Sequence, residues 1–379
     1  MRIGFISPFL FRYRRGIERL TIELANALAV QGAEIHLITW RENRLWPWGE
    51  LKKGVFLHSL SLPRYFAAQS AGVLYAVLLQ KLKLDVVNLF FTWHGEELAL
   101  RLNPFLKSTI VLGLHYPAEQ VPHAYQKFHK SWILKRAKEL VAVSHYVADG
   151  ARNQLGRTPV VIYNGVNLEQ FYPADRKTEA RKKLNLPLDS FILGTAATLE
   201  MRKGIQKVFA ALPEARKRYP NLIYVVAGGD GPITDKQKLM GQVKHLELEG
   251  CVRFLGVLDD LITFYHAIDL FMFLPTGEAF PLALLEAMAC GLPVIAAKKR
   301  PLEECVSPEG AVFVNDADVN EVAQAISELI SNPAKRAQMG QENRRRAEKN
   351  FAWCTTADQY MNLFTEKLGF ARPNMERKS

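Results

Sequence analysis

Cysteine is scarce in this 379-residue chain: Cys251, Cys290, Cys305 and Cys354 are the only four, all beyond position 250 and without C-x-x-C spacing. That pattern argues against a disulfide framework and a cysteine-ligated zinc site, and it fits a reducing compartment. No apolar run reaches the ~18–20 residues that span a bilayer. The longest candidates, Ser70–Gln80 and Leu261–Pro275, are short, and the second carries His266 and Asp269. Glycine-rich phosphate loops are missing as well. Neither half opens with G-x-G-x-x-G and no G-x-x-x-x-G-K occurs, which disfavours hydride transfer and P-loop chemistry. The N-terminus begins with a buried-strand pattern, Arg2–Ser7, instead of a signal peptide, so a cytoplasmic location is expected. Acidic charge is in short supply too: 38 Asp and Glu face 49 Lys and Arg, a formal net charge of +11. The surplus is uneven, since residues 1–163 hold 21 basic and 11 acidic residues and the remainder 28 and 27.

With 49% hydrophobic residues the chain can bury sizeable cores. Short apolar runs alternate with helical patterns, the signature of parallel sheets covered on both faces. In the first half the runs are Arg2–Ser7, Glu34–Trp40, Asp85–Phe90, Thr109–His115, Glu139–Ser144 and Pro159–Tyr163. Ile17–Val30 places residues 17, 20, 24, 27 and 28 on one helical face, closed by Gly32. After a polar linker at 171–189 the pattern restarts: Phe191–Thr198, Asn221–Gly229, Val252–Val257, Leu270–Pro275, Pro293–Ala297 and Ala311–Val314 read as strands. Helical stretches such as Ile205–Arg218, Asp235–Leu248 and Leu282–Cys290 separate them. The expected fold class is α/β, with two doubly wound domains and ligands bound beyond the carboxyl ends of the strands.

Two loops carry chemistry. Arg12, Arg14 and Arg15 precede Gly16 at the mouth of the first helix, a setting suited to an anion. The segment Phe273-Leu-Pro-Thr-Gly-Glu278-Ala-Phe-Pro-Leu-Ala-Leu-Leu-Glu286-Ala-Met-Ala-Cys-Gly291 gives strand, loop and helix, with Pro281 expected in the first helical turn. It presents Glu278, Glu286 and a row of free N–H groups together, able to bind a phosphate and the hydroxyls of a sugar or ribose. By spacing alone either glutamate would more often be an ordinary solvated residue.

This segment resembles the Glu-x7-Glu signature of the retaining GT-B glycosyltransferases of family 4, over some twenty consecutive positions. Arg15-Gly-Ile-Glu-Arg-Leu20 resembles that family's Gly-Gly-Ile-Glu-Arg loop, and Leu112-Gly-Leu-His115-Tyr-Pro117 its N-domain histidine segment. Val161-Ile-Tyr-Asn164-Gly-Val166, Ala197-Thr-Leu-Glu-Met-Arg202-Lys203-Gly204, Ala227-Gly-Gly-Asp230-Gly-Pro232 and Arg253-Phe-Leu-Gly256 follow in the family's order. Phe351-Ala-Trp353 is similar to the start of its C-terminal crossover helix. The resemblance covers nearly the whole chain. It departs in the first loop, where Arg15 stands for a glycine, and at Thr198, where the family often has an arginine.

The resemblance implies a GT-B fold of two facing Rossmann-like domains. Residues 1–166 would form the acceptor-binding domain, 167–350 the nucleotide-sugar domain, and 351–379 a crossover helix with a tail. It implies a retaining hexosyltransferase that needs no cofactor beyond the nucleotide diphospho-sugar donor and no metal. Its catalytic residues would be His115, Arg202, Lys203 and Glu278. Arg202 and Lys203 would neutralise the diphosphate, Glu286 would hold the ribose, Glu278 the sugar, and His115 the reacting face. Gly16, Phe280 and the backbone N–H groups of Leu282 and Ala283 would complete the donor site, with Asp230 and Leu255 near the base. Arg15, Trp93 and His94 would stand on the acceptor side.

The loop around Trp46 and Trp48, with Arg41, Arg44, Lys52 and Lys53, and the partly apolar helix at 65–83 together suit an anionic membrane surface. A glycan or lipid-linked acceptor of the cell envelope would then be the second substrate. Asp316-Ala-Asp318, the one Asp-x-Asp, reads as a helix-capping or solvated pair, and Arg344–Arg346 as a solvated helix face. Nothing accompanies these arginines that would suggest nucleic acid. A sugar-nucleotide-binding scaffold without catalysis, a GT-B epimerase and a disaccharide synthase remain the alternative readings.

Overall fold

The computed structural model describes residues 1–7, 10, 16–40, 51–60, 68–90, 106–116, 132–230 and 234–373. The chain divides into two compact units, Met1–Gly165 with Trp353–Ser379, and Val166–Ala352. The division falls where the backbone dictates: the Val166 N–H donates to the Phe351 carbonyl at 2.7 Å, and Val166 and Ala352 form a parallel bridge. Those bonds place 351 and 352 with the second unit.

The first unit runs β1 (Arg2–Ile6), α1 (Gly16–Val30), β2 (Glu34–Trp40), β3 (Val55–Leu60), α2 (Ala68–Leu82), β4 (Val86–Leu89), β5 (Thr109–Leu114), α3 (Trp132–Arg136), β6 (Glu139–Ala142), α4 (His145–Leu155) and β7 (Val160–Val161). All seven strands are parallel, in the order β3-β2-β1-β4-β5-β6-β7. β3 escapes the sequence pattern because it is an edge strand, with Phe56 and Leu57 exposed. The last strand is shorter than its apolar run suggests. Leu20, Leu24 and Leu28 of α1 are buried against the sheet, as the helical spacing predicts. α4 is fixed at both ends: the Ser144 hydroxyl accepts the Val147 N–H at 3.2 Å, and Gly156 takes the left-handed conformation and donates to the Arg152 carbonyl. Each such cap is worth roughly 1 kcal/mol.

The second unit runs α5 (Lys177–Lys183), β8 (Phe191–Ala196), a 3-10 turn at Met201–Lys203, α6 (Ile205–Arg218), β9 (Leu222–Ala227), α7 (Lys236–His245), β10 (Val252–Gly256), α8 (Leu261–Ala267), β11 (Leu270–Phe273), α9 (Leu282–Ala289), β12 (Val294–Ala297), α10 (Leu302–Cys305), β13 (Ala311–Val314), α11 (Val319–Ser331) and α12 (Pro333–Asn350). Its six parallel strands are ordered β10-β9-β8-β11-β12-β13. β9 and β11 are buried along their whole length, which is why they read as unbroken apolar runs. The arginines 344–346 are mostly structural: Arg344 donates to the carbonyls of Phe171 and Ala289, and Arg346 to those of Glu304 and Cys305. Of the three, Arg345 has the most exposed side chain, so the expectation of a solvated face holds for it alone.

The chain then returns to the first unit as α13 (Trp353–Asn362), extended by a π-helical turn at Leu363–Lys367. Tyr360, Met361 and Phe364 share one apolar cluster with Leu20, Leu24 and Leu28 of α1. Thr356 donates to the Tyr163 carbonyl, and Lys367 pairs with Glu139 at 2.9 Å. Gly165 admits the Trp353 ring so closely that a Cβ would stand 2.5 Å from it.

Candidate functional site

In the second sheet the strand order reverses between β8 and β11, and the loops that leave these two strands meet there. The loop after β8 is stitched to its neighbours by the backbone. Leu199 donates to the Gly229 carbonyl at 3.0 Å, and Gly228 to that of Gly256 at 2.8 Å. The Met201 N–H is taken by Asp235 at 2.9 Å. Lys238 first, and the Met201 N–H second, hold the Asp235 carboxyl below its ordinary range. The chain then makes one 3-10 turn and enters α6 through Gly204, which has φ +77°. A Cβ there would lie 1.8 Å from the Leu274 carbonyl oxygen at the end of β11, so only glycine lets the two loops close up.

That approach brings Arg202, Lys203 and Glu278 together. Both the N–H and the hydroxyl of Thr276 donate to the Arg202 carbonyl, at 2.8 and 3.1 Å. The Lys203 ammonium meets the Glu278 carboxylate at 2.5 Å, with the two side chains only 19% and 14% exposed. Arg202 is paired separately: its Nε donates to Glu200 at 2.5 Å, and Glu200 also accepts the Thr198 hydroxyl at 2.8 Å. Glu200 is buried and escaped sequence reasoning, since an acidic residue beside Arg202 and Lys203 looks like ordinary surface charge.

α9 begins at Leu282, with Pro281 as its N-cap rather than inside the first turn, and no side chain caps it. Helix geometry leaves the N–H groups of Leu282 and Ala283 without an intrahelical acceptor. Glu286 is buried one turn further on, and the Tyr265 hydroxyl donates to it at 2.7 Å. Tyr265 lies inside an apolar run, so nothing local separates it from a core aromatic. The Phe280 ring is buried against Phe351, centroids 5.6 Å apart, so packing takes up that side chain and what it can offer a ligand is its backbone. Asp230 lies in the loop after β9 and accepts the Thr234 hydroxyl. Leu255 sits at a bulge in β10, skipped by the pairing between Phe254 and Gly256.

The Asp-x-Asp pair splits. Asp318 caps α11 by accepting the N–H groups of Asn320 and Glu321, as its spacing suggests. Asp316, in contrast, is buried between the ammonium groups of Lys207 and Lys299, and Lys207 also donates to the Leu274 carbonyl at 3.1 Å. Burial works to raise the Asp316 pKa, but the two lysines together outweigh it and keep the carboxyl lowered. Among the described residues no group of three or more His, Cys, Asp and Glu could hold a metal ion.

In the first unit the strand order reverses between β1 and β4. His115 follows β5, next to β4; it is buried, packs edge-on to Phe90 at 5.3 Å, and occupies the space that a side chain on Gly113 would need. Burial pushes its pKa down to about 4, so the imidazole is neutral near pH 7. Its Nε2 and both amide atoms of Asn88 on β4 are buried without a hydrogen-bond partner among the described residues. Gly16 opens α1 and is exposed. Arg15, Trp93 and His94 lie outside the described residues, as do Trp46, Trp48, Arg41 and Arg44.

Known proteins bear on this geometry. Residues 14–170 match the family described as Glycosyltransferase Family 4, and residues 176–346 the one described as Glycosyl transferases group 1. A phosphatidyl-myo-inositol mannosyltransferase from Propionibacterium freudenreichii subsp. shermanii is 27% identical over 96% of this chain and 95% of its own. Among solved structures, sucrose-phosphate synthase from Thermosynechococcus elongatus superposes with a TM-score of 0.82 at 22% identity, covering 97% of this chain and 99% of that one. Anabaena HepE in complex with UDP and glucose gives 0.79 at 21%, covering 98% and 100%. These likenesses show the GT-B fold. With both units matched, the chain belongs to the family 4, group 1 glycosyltransferases.

Proposed function

We propose that this glycosyltransferase moves a hexose, with retention of configuration and without a metal, from a nucleoside diphosphate to a glycan or lipid-linked acceptor of the cell envelope. The observation that carries the reading is the meeting of Arg202, Lys203 and Glu278 at the strand-order reversal of the second sheet. Arg202 and Lys203 stabilise the charge that builds on the leaving diphosphate, aided by the uncapped start of α9 through Leu282 and Ala283. Glu278 accepts from hydroxyls of the sugar. Glu286, oriented by Tyr265, accepts from the ribose. Asp230 and Leu255 border the base, and Gly16 lets the first-unit backbone approach a phosphate.

The bond between the anomeric carbon and the phosphate oxygen breaks as the acceptor oxygen bonds to the same face of that carbon. The acceptor's proton passes to the leaving phosphate oxygen, so the reaction needs no protein base. His115, held neutral, serves this step as a hydrogen-bonding group and not as a cation.

Two features support a lipid-linked acceptor met at the cytoplasmic face of a membrane. The first unit holds 25 Lys and Arg against 14 Asp and Glu, whereas the second holds 24 of each. Phe56, Leu57, Val73, Leu74 and Val77 are exposed on β3 and α2 of that basic unit, with Lys81 in the last turn of the helix and Lys83 just beyond it. No helix among the described residues is long and apolar enough to cross a membrane. The relative from Propionibacterium is named for transfer to a phosphatidylinositol.

The test is turnover of UDP-, GDP- and ADP-hexoses with membrane lipid extract as acceptor, followed by product analysis. A product of retained configuration that no longer forms in the Glu278→Ala variant is expected. Turnover at the wild-type rate in that variant contradicts the reading. Vesicles containing anionic lipid should bind the protein more tightly than neutral ones, and Lys81→Ala should cost about 1 kcal/mol of that binding.

A further inference from the structure

Two ion pairs flank the 3-10 turn, Arg202 with Glu200 and Lys203 with Glu278. The two pairs are unlike. Arg202 engages Glu200 through Nε alone, which leaves the outer edge of its guanidinium fork to face a phosphate without breaking the pair. Its side chain is 51% exposed. Glu200 keeps the Thr198 hydroxyl as well. Lys203 is a point charge with a single carboxylate contact among the described residues, and both it and Glu278 are largely withdrawn from water.

A diphosphate arriving at Lys203 puts two anions on one ammonium. Glu278 then loses its counter-charge while screened from solvent and beside an incoming negative group, an arrangement that is costly. A hexose attached to that diphosphate supplies what the carboxylate lacks, because its hydroxyls donate to Glu278 as Lys203 turns to the phosphate.

We propose that the Lys203–Glu278 ion pair is a specificity latch that makes tight binding of the diphosphate conditional on an attached sugar. It favours the sugar nucleotide over the nucleoside diphosphate left after transfer. The latch rests on the assignment of this site to the donor. It predicts that product release is promoted by Glu278, which recaptures Lys203 once the sugar has gone.

The experiment is calorimetric titration of UDP, GDP and ADP, and of UDP-glucose, GDP-mannose and ADP-glucose, into the wild-type protein and Glu278→Gln. For the base that binds wild type best, the variant should bind the nucleoside diphosphate about fivefold more tightly and the sugar nucleotide about fivefold more weakly. The ratio of the two affinities therefore collapses. Glu278→Ala, whose side chain also cannot pair with Lys203, serves if the glutamine variant does not fold, and Lys203→Arg, which keeps the pair, should preserve the preference for the sugar form. Parallel weakening of both ligands in Glu278→Gln, or an unchanged affinity for the nucleoside diphosphate, overturns the latch but leaves the donor site standing. Absence of binding by any of the six ligands to wild type overturns the donor-site assignment itself.

Discussion

The two sheets share one device, a reversal of strand order, and dress it in opposite ways. At β8 and β11 the second unit gathers two cations and two carboxylates, each in a short ion pair. Beside β1 and β4 the first unit offers a buried neutral imidazole, packed on Phe90, and a buried amide on Asn88. Over the units as wholes the contrast inverts: the unit with the paired charges has no net charge, while the unit with the neutral imidazole and amide carries the whole excess. Net charge and site charge are thus separate properties. A surplus spread over a surface attracts and orients an anionic partner at long range, whereas a leaving group is stabilised by fixed, partly desolvated groups.

The largest test of the contrast is to remove the paired cations. Arg202→Ala with Lys203→Ala should lower kcat/KM by about a thousandfold or more, since each cation supports the same developing charge. Thermal stability should fall as well, because the double change leaves the carboxylates of Glu200 and Glu278, only 5% and 14% exposed, without their cations. Steady-state kinetics and a melting curve on the same sample separate the two effects. Next comes the glycine that lets the charged loops meet: Gly204→Ala should cost at least about 3 kcal/mol in urea unfolding, combining a left-handed backbone with a clash against the Leu274 carbonyl.

The neutral side of the contrast is tested by pH. His115 binds its proton at about pH 4 in the fold and near 6.5 when unfolded, so the unfolded chain takes up the proton first as pH falls. Its contribution is therefore complete above pH 6.5, is lost between 6.5 and 4, and is level below that. The loss amounts to about 3 kcal/mol. His36 and His58, also lowered chiefly by burial, act in the same direction. His115→Gln should flatten this part of the curve, as read from urea midpoints at pH 7 and pH 5. The smallest effect is expected at Tyr265→Phe, which deprives Glu286 of one donor and should weaken nucleoside diphosphate binding about fivefold, or about 1 kcal/mol.

The sequence made the architecture legible wherever a strand is buried on both faces, because such strands read as unbroken apolar runs between helical spacings. β3 does not stand out, since an edge strand with outward Phe56 and Leu57 lacks that pattern, and α4 is marked in the sequence only at its ends, by Ser144 and Gly156. Within the site, Lys203 and Glu278 were visible through their motifs, but their mutual contact spans 75 residues and exists only because Gly204 admits the Leu274 carbonyl. Glu200, Tyr265 and Asp316 act through partners distant in sequence or by burial, neither of which a local pattern encodes. The capping reading of the Asp-x-Asp pair held for Asp318 because capping is local, and failed for Asp316 because Lys207 lies 109 residues away.

The central claim is that the strand-order reversal of the second unit holds the donor's diphosphate. Calorimetric titration of wild type and of the Arg202→Ala, Lys203→Ala double variant with UDP-glucose, GDP-mannose and ADP-glucose tests it most directly. The account predicts saturable binding of at least one sugar nucleotide to wild type and its loss in a double variant that still unfolds cooperatively at a temperature above that of the titration. Binding of equal affinity in the two proteins would contradict it.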